Sequence, residues 1–363
     1  MRKAFHLHSL SGIVASHKTL RKVLYLHSFS SPPSSTFLGP NLPDVWVPRH
    51  NTSPPHTLLP QSLQWTDNDD HSAAILEGKP IANHIKLKVA DEIRRMKSDI
   101  GKFPKLAFVL VGDRRDSHTF IHLKSKACEK VGIETVVSQL PENCTENELL
   151  DVVSGLNDDQ DVHGIIVQLP LPQHLDEERI MNIVSPEKDV DGFHPLNIGN
   201  LARSGRKPFF IPCASRSCIE LLLNHGIEIR GKRVAIIGRG KIAGLPTSLL
   251  LQRHHATVSL LHAYTKNPER ITSEADIVVT DVGIPNIVRG DWIKKGAVVI
   301  DMGTNQVKDP SSQVFRVTGD VCFEEAVKVA SAITPVPGGI GPVTVSMLLS
   351  NTLDSAKRAF GIV

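Results

Sequence analysis

No apolar run in the 363-residue chain reaches the ~18 residues that span a bilayer as a helix, which excludes a helical membrane anchor. No dense block of Lys and Arg occurs, and the net charge is only +3, so nothing in the composition points to nucleic acid. Neither heptads nor internal repeats appear, which excludes a long coiled coil or a solenoid. The five cysteines (Cys128, Cys144, Cys213, Cys218, Cys322) are odd in number and form no CxxC pair. That pattern argues against a disulfide framework and a metal cluster, and fits a reducing compartment with no bound metal. What remains is a soluble globular chain, long enough for two domains of ordinary size.

Charge of one sign is scarce at the start. Up to Pro60 there are six basic residues (Arg2, Lys3, Lys18, Arg21, Lys22, Arg49) and one acid, Asp44, among many serines and prolines. This composition, with a basic amphipathic helix expected around Lys18–Leu26, reads as a transit peptide over residues 1–70. It suits a mitochondrion, with a chloroplast as the alternative, and plain disorder reads from the same residues.

From Ala73 on, short β-branched runs alternate with amphipathic stretches, the pattern of βα units around parallel sheets. The first series predicts a helix over Ile81–Met96, a strand over Leu106–Val111, a helix capped by Ser117, a strand over Glu134–Ser138, a helix after Thr145 and a strand over Gly164–Gln168. The second predicts a helix over Cys218–Asn224, then Arg233–Ile237, helix Leu245–Gln252, and strands Thr257–Leu261, Ile277–Thr280 and Val298–Asp301. A last helix, Val343–Phe360, has no strand after it and is expected to return to the first domain.

Arg233-Val-Ala-Ile-Ile-Gly238-Arg239-Gly240-Lys241-Ile242-Ala243-Gly244 runs from a strand through a glycine turn into a helix. Gly238 permits the turn, Gly240 lets backbone approach a diphosphate, Gly244 packs helix on strand, and the helix start offers N–H groups. A purely structural turn fits the same residues. No carboxylate ends the next strand (Leu260-Leu261-His262-Ala263-Tyr264-Thr265-Lys266), and Arg239 stands at the turn. A phosphorylated ribose, hence NADP, is therefore expected, with NAD as the alternative.

Three polar side chains stand out elsewhere. Lys124 falls in an apolar stripe of Phe120, Ala127, Cys128 and Val131. There it either snorkels to water or is desolvated into a base, since burial disfavours an ammonium. Gln168 closes an apolar strand stopped by Leu169-Pro170-Leu171-Pro172, at the carboxyl edge where ligands of α/β sheets bind. Asp191, before Gly192, is a turn former or a fixed ligand group. Pro335-Val336-Pro337-Gly338-Gly339-Ile340-Gly341-Pro342-Val343-Thr344 builds a stiff close-approach loop ahead of a helix, either an ordinary connection or a ligand loop.

Taken together, Val167-Gln168-Leu169-Pro170-Leu171-Pro172, Asp189-Val190-Asp191-Gly192-Phe193-His194-Pro195 and the Pro-Gly loop resemble the signatures of the methylenetetrahydrofolate dehydrogenase/cyclohydrolase (FolD) family, over about Ala73 to Phe360. The resemblance implies an α/β fold of two domains. A catalytic folate-binding domain over 73–214 is closed by a C-terminal loop and helix over 337–361, and a Rossmann NADP-binding domain over 215–336 is inserted between. It implies Lys124 as the catalytic lysine, Gln168 as its partner, Asp191 on the pterin, and Phe120, Pro337, Gly338 and Gly339 against the folate. On the cofactor side it implies Gly238, Arg239, Gly240, Gly244 and Thr304. The expected partners are a tetrahydrofolate substrate and a second copy of the chain, with no nucleic acid, membrane or metal.

The chain departs from the family pattern at several points. The family tyrosine is Phe120, the serine of the cofactor turn is Gly240 and its valine is Ala243; Ala263 and Tyr264 replace a serine and an arginine that could hold a ribose phosphate. Two further readings therefore stand beside the bifunctional enzyme. One is a folate-binding or hetero-oligomerising paralogue with impaired dehydrogenase activity. The other is an amino-acid or shikimate-type dehydrogenase, which leaves VQLPLP and the Pro-Gly loop unexplained.

Overall fold

A computed structural model describes residues 38–39, 72–308 and 315–362. The leader expected over residues 1–70 lies outside the described residues, except for Leu38 and Gly39. The Leu38 carbonyl accepts a 3.3 Å bond from Arg253 Nε.

Two parallel sheets carry the fold. The smaller has the order β3-β2-β4, with β2 (Lys105–Val111) between β3 (Glu134–Leu140) and β4 (Gly164–Val167). Every residue of β2 from Leu106 onward is buried, as expected of a strand covered on both faces. The larger sheet includes β5 (Arg233–Ile237), β6 (Thr257–Leu261), β7 (Ile277–Thr280) and β8 (Val298–Asp301) in the order β8-β7-β5-β6. All four bounds coincide with those predicted, because each run is apolar and flanked by turn residues.

At the other edge of the larger sheet, the two-residue β1 (Ala74–Ile75) pairs with β11 (Ala332–Ile333), which pairs with β8. A two-residue pairing carries no periodicity, so the sequence gives no sign of it. β9 (Asn305–Lys308) and β10 (Phe315–Thr318) form a separate antiparallel pair.

The helices of the smaller sheet are α1 (Gly78–Ile100), α2 (Arg115–Val131), α3 (Glu146–Asp158) and α4 (Glu177–Ile183), followed by α5 (Pro195–Ala202) and α6 (Cys213–Asn224). α3 opens on a capping box in which Thr145 and Glu148 each satisfy the other's backbone N–H. α2 starts two residues before the expected Ser117 cap, with Arg114 as the N-cap and Ser117 buried inside the helix. Asp116 in the first turn pairs with Arg114 at 2.7 Å and suits the positive helix end.

α7 (Gly244–Arg253) follows β5, α8 (Pro268–Thr272) follows β6, and α9 (Phe323–Ala326) precedes β11. The final helix, α10 (Ile340–Ala359), returns to pack on α1 and α6, as expected. Polar side chains fix its register. Ser346 Oγ donates to the Ala82 carbonyl at 3.2 Å, Asn351 Nδ2 to Val190 at 2.8 Å, and Ser355 Oγ to Glu187 at 2.9 Å. Among the described residues no helix is long and apolar enough to cross a membrane, and no cluster of three or more His, Cys, Asp or Glu is arranged to hold a metal.

Candidate active site

The Asp191 loop is built from its neighbour. Asp189 is buried and its carboxylate accepts from the N–H groups of Gly192, Phe193 and His194 and from Asn197 Nδ2, at 3.2, 3.1, 2.8 and 2.8 Å. Burial pushes this carboxyl up to about 7, against the pull of the His194, Asn197 and Phe193 donors. Gly192 has φ 83°, and a Cβ there would lie 2.6 Å from Pro212 N, so only glycine closes the loop against the start of α6. Asn351 of α10 ties down Val190 from the other side and accepts a 2.7 Å bond from Arg216 Nη1. Asp191 is thus presented, half-buried, by a fully bonded frame; among the described residues its carboxylate accepts no hydrogen bond. Asp189 and Asp191 stand two residues apart in one motif, and nothing in their spacing tells which aspartate builds the loop and which is left to a ligand.

Lys124 lies in the third turn of α2. The buried face of that helix is Ser117, Ile121, Ala127, Cys128 and Val131. Ala127, Cys128 and Val131 of the predicted stripe are in it, but Ile121 rather than Phe120 meets the core. Phe120 is consequently 44% exposed, and Lys124 is half-buried at the margin. Lys124 and Asp191 both act on the Cys213 thiol at the start of α6. Burial drives that thiol well up, Asp191 drives it further, and the charges of Arg216 and Lys124 oppose them. The same lysine opposes burial at Cys128, whose thiol is pushed up to about 12. The amine and the carboxylate are thus both near enough to the Cys213 thiol for their charges to act on it, in opposite directions.

Gln168 continues β4 by one bond, its N–H donating to Val109 O at 2.9 Å. Its Nε2 donates to Leu169 O at 2.8 Å, while its Oε1 is buried with no partner among the described residues. An unpaired buried acceptor costs about 1–3 kcal/mol, so its retention points to a donor that arrives with a ligand or with a moving side chain. The following Leu169-Pro170 peptide is cis, as is Val336-Pro337 in the Pro-Gly loop. That second loop closes on itself through Gly339 N–H to Pro335 O at 2.8 Å. It abuts the start of α1, where Gly78 N–H donates to Gly338 O at 2.9 Å. Pro337 is exposed at its tip and Gly339 is buried beneath it.

On the larger sheet, Gly238 has φ 110°, and a Cβ there would lie 1.9 Å from Asp281 O. The turn is therefore possible only with glycine. Arg239 and Gly240 are exposed at its tip, and the N-cap of α7, Ala243, has no side chain that could cap it. Thr304 stands exposed on the loop after β8, at the same carboxyl edge. Two buried carboxylates hold the loops of that edge. Asp320 accepts from the N–H groups of Val282, Gly283 and Ile284, and Asp301 from those of Gly303, Asp320 and Val321. No alternation or spacing marks these aspartates in the sequence.

The two edges are joined directly. Glu177 Oε1 accepts from Leu171 N–H at 3.0 Å, and its Oε2 accepts from Lys241 Nζ at 2.7 Å. Burial alone would raise the Glu177 carboxyl, but Lys241 and the Leu171 N–H outweigh it and hold it below the usual range. The loop after Gln168 and the loop after Gly238 thus face each other through one carboxylate.

A glycine turn on one parallel sheet, tied to a lysine- and aspartate-bearing edge on another, defines a two-domain dinucleotide-dependent enzyme. The chain belongs to the tetrahydrofolate dehydrogenase/cyclohydrolase family, whose catalytic domain matches residues 76–191 and whose NAD(P)-binding domain matches residues 212–360. It is 52% identical over 340 residues to the bifunctional protein FolD 1, mitochondrial, of Arabidopsis thaliana, covering 92% of this chain and 93% of that one. It is 57% identical over 298 residues to FolD 4, chloroplastic, of the same plant, covering 82% and 83%. Among solved structures it resembles the Trypanosoma brucei methylenetetrahydrofolate dehydrogenase-cyclohydrolase complexed with NADP cofactor and inhibitor. The TM-score is 0.77 at 44% identity, covering 80% of this chain and 99% of that one.

Proposed function

We propose that the chain oxidises 5,10-methylene-tetrahydrofolate to the 5,10-methenyl form with NADP, and hydrolyses the latter to 10-formyl-tetrahydrofolate. The observation that carries this is Glu177, which binds the loop after Gln168 to Lys241 of the nucleotide turn and so sets folate and cofactor edges together. The residues at the turn fit NADP: Gly238 leaves a Cβ-free bend, Arg239 offers an exposed guanidinium, and β6 ends without a carboxylate. Bound NADP supplies the hydride acceptor.

Phe120 stacks on the folate ring, and Pro337, Gly338 and Gly339 line its other side. Asp191 holds the pterin through hydrogen bonds its free carboxylate can accept. Hydride loss leaves a cationic methenyl carbon, to which water adds while passing a proton to the Lys124 amine as general base. The bond to N5 then breaks as the new hydroxyl loses its proton and N5 gains one, so hydrolysis releases one proton overall. Gln168 Oε1, unpaired among the described residues, orients the lysine. Gly240, Gly244 and Thr304 complete the cofactor edge. A spectrophotometric assay with methylene-tetrahydrofolate and NADP or NAD tests the reading; absence of both methenyl formation and methenyl hydrolysis would overturn it.

The protein is proposed to be imported into the mitochondrion. The match to the mitochondrial relative covers 92% of this chain, more than lies beyond residue 72, so it extends into the basic leader. A fusion of residues 1–72 to a fluorescent protein tests this, with plastid targeting as the opposing result. A homodimer is proposed from the open outer edge of β3, where Val136 and Val137 are exposed.

A further inference from the structure

The first helical N–H at the nucleotide turn is already taken. Asp281 follows β7 at the sheet's carboxyl edge, and its Oδ2 accepts a 2.7 Å bond from Gly244 N–H, the first residue of α7. A diphosphate at a helix start uses such a donor and the positive potential around it. Gly240 leaves the carboxylate room to reach it, since a Cβ there would lie 2.9 Å from the same Oδ2 and crowd it. Asp320, itself bound to three successive N–H groups, fixes the Val282–Ile284 loop and keeps Asp281 in place. Burial, with the nearby charge of Asp320, raises the Asp281 carboxyl, which is the strain expected of two acids crowded at one edge.

We propose that Asp281 is an affinity-determining residue for the cofactor: its carboxylate occupies the phosphate-facing N–H of α7, and a dinucleotide must displace it and then bind beside its charge. The inference rests on the assignment of the Gly238–Gly244 turn to NADP. It separates the two activities of the site, because Asp281 stands on the cofactor edge and leaves Lys124, Gln168 and Asp191 untouched. A neutral residue at 281 removes like-charge repulsion from the diphosphate, and one too short to reach Gly244 N–H also frees the donor.

The experiment is NADP titration by calorimetry on the full chain and on Asp281→Asn, Asp281→Ser and Asp291→Asn. Asn keeps an acceptor for Gly244 N–H, Ser is shorter and neutral, and Asp291 is an exposed carboxylate elsewhere that makes the same change in net charge. The 281 variants are expected to bind NADP roughly tenfold tighter or better, with a matching fall in the NADP KM, while Asp291→Asn matches the parent. A residue that merely caps α7 would lower the melting temperature on removal and leave affinity no better. Equal or weaker binding by both 281 variants overturns the inference alone. Failure of the parent and every variant to bind NADP overturns it together with the cofactor reading.

Discussion

Replacing Lys124 by methionine keeps the stem that packs at the margin of α2 and removes only the amine. Methenyl hydrolysis is expected to fall by about 10²–10⁴-fold, with the circular dichroism spectrum and melting temperature unchanged. Hydrolysis at the parent rate in the Lys124→Met protein would show that another group takes the proton. Asp189→Ala tests the frame instead of the chemistry. It strips the acceptor from four donors, two of them buried and two half-buried, and is expected to cost about 3 kcal/mol of stability in urea unfolding, with folate binding weakened alongside. At this scale the sequence was readable where a residue type contradicted its surroundings. A lysine in an apolar stripe and a glutamine ending an apolar strand are both anomalies that periodicity exposes. Asp189, Glu177 and Asp281 were not readable, because a carboxylate that accepts backbone N–H groups across the fold has no local pattern to violate.

Elements were legible where apolar runs are bounded by turn residues, as in β5 through β8. Their ends were harder wherever a cap is not a Ser or Thr side chain, as at α2. The return of α10 followed from a helix left without a strand, yet its docking is polar as well as apolar. Phe360, just past the helix, lies edge-on to His163 with ring centroids 4.6 Å apart, and His163 Nδ1 accepts from Lys105 N–H at 3.1 Å. Burial, helped by the Lys188 charge, lowers the His163 pKa from 6.5 to about 4. The unfolded chain therefore binds a proton between those values that the folded chain refuses. Stability is complete above about pH 6.5 and is lost as pH falls toward 4, by up to about 3 kcal/mol less what solvent screening removes. His163→Asn keeps an acceptor for Lys105 N–H and does not titrate. Its urea midpoint should change less than the parent's between pH 7 and 4.5, and parallel curves would assign the acid loss to other groups.

The whole molecule is a pair of parallel sheets whose carboxyl edges share one carboxylate bridge, and that leaves the outer edge of β3 open. Among the described residues β3 pairs only with β2, so its outer N–H and C=O groups face away from the sheet, with Val136 and Val137 37% and 48% exposed. An open strand of seven residues with two exposed valines is an aggregation hazard unless something covers it, and a second copy of the same edge is self-complementary about a two-fold axis. Like charges facing each other across such an axis oppose pairing. Val137→Lys places one ammonium from each copy near the join, and is expected to weaken the dimer by roughly tenfold or more. Sedimentation equilibrium measures this directly. Because Lys124, Gln168 and Asp191 all belong to one copy, the monomer should retain methenyl hydrolysis. A parent that sediments as a dimer and a variant that does so with equal affinity would place the interface on another face.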